Sequence, residues 1–126
     1  MKRPKRNTKQ RDALKEAFAE AHRPLSPQEA RAIVSEKVPG VGIATMYRSI
    51  KEFLDEGWLV PVSLPGESPR YELGGKGHHH HFRCRRCNKV FELEGCVSGV
   101  QKLLPSGFRM ENHEITLYGT CDHCNR

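Results

Sequence analysis

Two cysteine pairs of identical spacing, Cys84-x-x-Cys87 and Cys121-x-x-Cys124, constrain this chain more than any other feature. Two intervening residues let one tight turn aim both sulfurs at one ion. Two such turns complete a tetrahedral shell of four thiolates, the common structural environment of zinc. A single pair would read equally well as a redox motif, but two pairs in one small basic chain read as a metal site. Directly ahead of the first pair runs His78-His79-His80-His81. The run is internal and abuts Cys84, so it is not an expression tag. In a strand, alternate side chains point to opposite faces. His79 and His81 then share one face and His78 and His80 the other, an arrangement suited to two separate metal sites.

Size makes a metal useful. The chain has 126 residues, one domain's worth or two very small ones. Lobes below roughly 70 residues often need a metal or a partner subunit for stability. Five cysteines, four of them paired at metal-ligand spacing, fit a reducing cytoplasm rather than a secreted disulfide framework. No apolar run approaches the roughly 18 residues of a membrane span. The N-terminus is basic but lacks the apolar segment of a signal peptide, so a cytoplasmic location is expected. A formal net charge of +6 and a pI of about 9.2 favour a polyanionic partner.

Residues Met1 to Arg11 carry Lys2, Arg3, Lys5, Arg6, Lys9 and Arg11 without an acid. They read either as a solubilising tail or as an arm that follows phosphates. A first helix is expected from near Thr8, with Leu14, Ala17, Phe18 and Ala21 forming one apolar stripe. Ser26-Pro27-Gln28-Glu29 matches a capping box with proline at the first helical position. It opens a second helix whose buried face is Ala30, Ile33 and Val34. A third helix, from about Ile43 to Glu56, turns Met46, Ile50, Phe53 and Leu54 inward. Ala44, Tyr47, Arg48 and Lys51 face outward, and Gly57 caps the end. Strands are expected at Trp58 to Leu64 and Arg70 to Leu73 around a turn at residues 65–69. Three helices and a hairpin are the layout of a winged helix-turn-helix, whose third helix enters the major groove. Gly74 to Gly77 reads as a joint. The expected domains are therefore 1–73, a hinge at 74–77, and 78–126. The last is a small α/β lobe with strands at His79 to Arg83, Val90 to Leu93 and Arg109 to Tyr118, and a helix from Val97 to Leu104.

With these residues in place, the sequence resembles the ferric uptake regulator (Fur) family of bacterial metal-responsive repressors. The resemblance is carried by Thr8-Lys9-Gln10-Arg11, Gly42 to Arg48, Arg70 to Leu73, His78 to Cys87, Asn112-His113, Leu117 to Gly119, and Cys121 to Cys124. It implies an α+β homodimer of two-lobed chains. The winged-helix lobe would bind a palindromic double-stranded DNA operator and the second lobe would dimerise and hold metals. Tyr47 and Arg48 match positions that reach bases and phosphates, with Lys9, Arg11, Thr45 and Lys51 as further DNA-binding candidates. Cys84, Cys87, Cys121 and Cys124 match the structural zinc ligands. Glu72, His79, His81 and Glu92 match the regulatory site, which would take iron(II), zinc or manganese(II). His78, His80 and His113 match a further site, with Cys96 or Glu94 as its fourth member.

The chain departs from the family pattern in four places. Pro24 stands where a regulatory histidine is usual, with His22 nearby as a candidate ligand. Leu73 and Gly74 stand where several zinc sensors carry a cysteine. Gly99 falls near the usual glutamate of the further site, and Asn88 replaces a glycine. The expected function is a metal-dependent repressor of metal-homeostasis genes, with no catalytic residues. Rival readings are a peroxide sensor of the same family, a zinc-ribbon adaptor, and a zinc hydrolase or deaminase. The last would need a His-Glu-x-x-His helix or a His-x-Glu with a downstream Pro-Cys-x-x-Cys, and the sequence contains neither.

Overall fold

A computed structural model describes residues 5–126, with side chains from Lys9 onward. Lys2 and Arg3 of the basic arm, and the side chains of Lys5 and Arg6, lie outside the described residues. The chain divides into two compact units, Met1–Gly75 and Lys76–Arg126. Among the described residues no helix is long and apolar enough to cross a membrane.

The first unit is a winged helix. Helix α1 spans Lys5–Ala21, α2 Pro27–Val34 and α3 Ile43–Asp55. Helix α1 thus begins ahead of the expected Thr8. The capping box forms as its sequence predicts: the Glu29 amide donates to Ser26 Oγ at 3.0 Å, and the Ser26 amide donates to the Glu29 carboxylate at 2.9 Å. Leu14, Phe18, Ala30, Val34, Met46, Ile50 and Phe53 meet in one core with Leu25 and Leu59. Ile33 is exposed rather than buried, because on so short a helix Ala30 and Val34, one turn apart, already fill the inward face.

The wing pairs β1 (Leu59–Val62) with β2 (Arg70–Leu73), antiparallel, with Leu59 opposite Leu73. The first strand is shorter than the expected Trp58 to Leu64. Leu25 adds a third rung by exchanging two backbone hydrogen bonds of 2.9 Å with Tyr71. At the end of β2 the Gly74 amide donates to the Trp58 carbonyl at 2.9 Å. A Cβ at Gly74 would lie 2.6 Å from the Gly57 carbonyl oxygen, so this approach requires glycine.

The second unit is a three-stranded sheet in the order β4-β3-β5, from β3 (His79–Cys84), β4 (Val90–Glu94) and β5 (Thr116–Gly119). Strand β3 pairs antiparallel with β4 and parallel with β5. The expected helix from Val97 to Leu104 is only a 3-10 turn over Val100–Leu103. Gly99 precedes it with a left-handed φ of 84°, and Leu104 before Pro105 is extended, so neither end can propagate. The expected strand from Arg109 begins only at Thr116. The Ile115 amide, next in line for the ladder, donates instead to His80 Nδ1.

Candidate metal centres and recognition helix

Strand β3 delivers Cys84 to the start of a tight turn. The Asn88 amide donates to the Cys84 carbonyl at 3.0 Å, and Asn88 closes the turn with a left-handed φ of 66°. A second turn, closed by the Asn125 amide on the Cys121 carbonyl at 2.9 Å, presents Cys121 and Cys124. The four sulfurs converge within 4.8 Å of one another, and Cys87 Sγ lies 3.9 Å from Cys121 Sγ. Tetrahedral zinc with bonds of about 2.3 Å sets sulfurs about 3.8 Å apart, so the four residues fit that ion.

Their electrostatics agree. The Cys87 amide, helped by that of Cys121, points at Cys84 Sγ at 3.4 Å and pulls this thiol down to about 6. Burial, together with the three neighbouring cysteines, pushes Cys124 up to about 12. One thiolate is favoured by local dipoles, and a full set requires a cation among them.

The imidazoles separate by strand alternation. On one face of β3, the His79 and His81 rings have centroids 4.9 Å apart. Glu92 stands opposite His81 in the ladder, with Oε1 3.5 Å from His79 Nε2. His79 Nδ1 lies 2.7 Å from the Gly77 carbonyl, to which it donates. The Lys76 ammonium pairs with the Glu92 carboxylate at 2.9 Å. Glu72 is a buried residue of β2 in the first unit. His22 directly follows α1 in a left-handed conformation, φ 54°.

On the other face, His78, His80, His113 and Cys96 converge within 4.8 Å. Of the two candidates for the fourth position Cys96 joins them, 2.9 Å from His113 Nε2, while Glu94 is exposed on β4 opposite His79. His80 is buried. Burial and the neighbouring histidines lower its pKa, which favours the neutral ring.

In the first unit, α3 turns Ala44, Tyr47, Arg48 and Lys51 outward, as its periodicity predicts. The Tyr47 hydroxyl accepts from Gln28 Nε2 at 3.4 Å, and Arg48 donates to Thr45 Oγ1 at 3.2 Å. Lys51 pairs with Asp55 at 3.4 Å, and Lys9 is exposed. Arg11 is engaged with Glu52 and Glu56 and stacks over the Phe53 ring, which ties it to the packing of α1 on α3. The sequence does not reveal the Arg23–Glu29–Arg70 ion pairs, at 3.1 and 3.9 Å, that join the start of α2 to the wing. Nothing in periodicity signals such a pairing.

A winged helix followed by a small sheet carrying clustered thiols and imidazoles defines a class: metal-responsive regulators of transcription, not enzymes. The chain belongs to the Ferric uptake regulator family, whose model matches residues 2–118. The ferric uptake regulation protein of Campylobacter jejuni is 31% identical over 123 residues, covering 94% of this chain and 78% of that protein. That of Bordetella parapertussis is 34% identical over 110 residues, covering 82% and 77%. The structure of the ferric uptake regulator from Francisella tularensis, determined with iron, superposes with a TM-score of 0.69 at 26% identity. That match covers 100% of this chain and 96% of the other. Regulators of this family bind DNA and dimerise.

Proposed function

We propose that the chain is a cytoplasmic homodimeric repressor of metal-homeostasis genes whose binding to a palindromic operator depends on a regulatory divalent metal. The carrying observation is that β3 presents imidazoles on both faces and ends in a four-cysteine cluster. Cys84, Cys87, Cys121 and Cys124 hold a structural zinc. Glu72, His79, His81 and Glu92 hold the regulatory iron(II), zinc or manganese(II). His78, His80, His113 and Cys96 form a further site. The regulatory metal would act by population shift. It favours DNA binding only through its differential affinity for the DNA-competent form, typically about 1–3 kcal/mol.

Tyr47 and Arg48, with Thr45 and Lys51, contact the major groove, and Lys9 contacts phosphates, while Arg11, expected to do the same, is held by Glu52 and Glu56 and braces α1 against α3. Two recognition helices of a dimer would sit about one DNA turn apart, roughly 34 Å. Exposed Val97, Leu103, Phe108 and Leu117 of the second unit, together with the open edge of β5, support a dimer surface there.

The test is operator binding titrated against buffered iron(II), manganese(II) and zinc. His81→Ala is expected to lose the metal response while His113→Ala keeps most of it, and the reverse would move the switch into the second unit. Arg48→Ala should weaken binding at every sequence, and Tyr47→Phe should relax base choice. Two variants that bind the operator like the parent would displace α3 from the groove.

A further inference from the structure

Granting the metal site at His78, His80, Cys96 and His113 proposed above, one backbone hydrogen bond divides the roles of its four side chains. The Ile115 amide donates to His80 Nδ1 at 3.1 Å. That nitrogen therefore presents its lone pair to the backbone. A neutral imidazole carries a single ring proton, which is left on Nε2. His80 Nε2 lies 3.2 Å from Cys96 Sγ and donates to that sulfur.

A metal on Nε2 would demand the opposite tautomer. The proton would then sit on Nδ1, facing the Ile115 N–H across the same 3.1 Å. The doubly protonated ring has the same clash and offers no lone pair at all. His79 shows the arrangement that a ligating imidazole needs: its Nδ1 meets a carbonyl, that of Gly77, at 2.7 Å. The two neighbours on β3 are thus set in opposite tautomers by the backbone groups they meet.

We infer that Cys96, His78 and His113 are the metal ligands of this site, and that His80 is a positioning residue donating its Nε2–H to the Cys96 thiolate. Cys96 Sγ and His78 Nε2 lie 2.9 and 3.1 Å from His113 Nε2. Both Cys96 and His78 are exposed, so the three donors are open to solvent and a bound ion could take a water as its fourth ligand. One thiolate and two imidazoles favour zinc or cobalt(II) over manganese(II). The hydrogen bond from His80 holds the sulfur in place and stabilises its charge.

The experiment is long-range 1H–15N correlation of the imidazoles in the full-length protein. Zinc is retained in the four-cysteine site and further zinc is added by equivalents. The expected result is metal-ligation shifts at His78 and His113, with His80 remaining an Nε2–H tautomer without one. His80→Gln, which keeps an N–H donor, should still bind zinc here, about 10–100-fold more weakly. Cys96→Ser and His113→Ala should each cost more than that. A ligation shift at His80, or an Nδ1–H tautomer there, overturns the assignment while leaving the metal site standing. No shift at His78 or His113 overturns both.

Discussion

The two units of this chain solve the stability problem by different means. The first buries Leu14, Phe18, Leu25, Met46, Ile50, Phe53 and Leu59 almost completely, an apolar core drawn from three helices and the wing. In the second, the buried residues are Cys84, Val90, Cys121 and His80. Its aromatic pair, Phe82 and Phe91, stacks across strands at 6.5 Å and remains partly exposed. Its larger apolar side chains point outward, with Leu103 84% and Phe108 67% exposed. A lobe of this size without an apolar interior needs an external source of free energy. Under the proposed function, a metal on the four-cysteine cluster would supply one and a partner subunit another. The first unit is therefore expected to be stable without metal, and the second to depend on it.

The largest effect should come from removing the structural zinc. Cys84→Ser, or stripping with a strong chelator, should cost the second unit on the order of 10 kcal/mol of zinc-linked stability. Backbone amide spectra should show residues 79–119 collapsing while α1–α3 keep their dispersion. Sedimentation should show monomer. A metal-free chain whose β3–β4 ladder persists would erase the proposed contrast.

The converse lesion is Phe53→Ala, which empties the centre of the apolar core. It should cost the first unit about 3–5 kcal/mol. Zinc content and the amide spectrum of the second unit should be unchanged. If zinc is lost as well, the two units do not fold independently.

A smaller effect is expected at the wing. Gly74→Ala drives a methyl toward the Gly57 carbonyl oxygen, so the hairpin must shift at a cost of about 1–3 kcal/mol. Urea unfolding followed by Trp58 fluorescence reads this directly, since the Gly74 amide is bonded to Trp58 itself. Smallest is Ser26→Ala, which removes one half of the capping box for about 1 kcal/mol. The midpoint of the first unit should fall while that of the second stays fixed.

Local chemistry was legible where the code is local. The capping box, the inward and outward faces of α3 and the turn signals around the wing all follow from residue spacing, because a helix or hairpin imposes its period on its own sequence. The two-faced histidine run followed from strand alternation in the same way. Resemblance to a family named the ligand sets that no period could.

Other features depended on partners remote in sequence. Leu25 becomes a third rung of the wing only because Tyr71 stands beside it. Arg11 reads as part of a basic arm, yet Glu52 and Glu56 engage it, at positions that α1 could not announce. The expected helix after Val97 and the long strand after Arg109 read plausibly from propensity, but neither survives its surroundings. Gly99 and Pro105 bracket the first, and the Ile115 amide leaves the ladder for His80. Residue types and their order determined which donors the chain has, two thiol pairs and a row of imidazoles. Tertiary structure alone decided which way each ring is turned, because the proton on a histidine goes wherever its backbone neighbour leaves room.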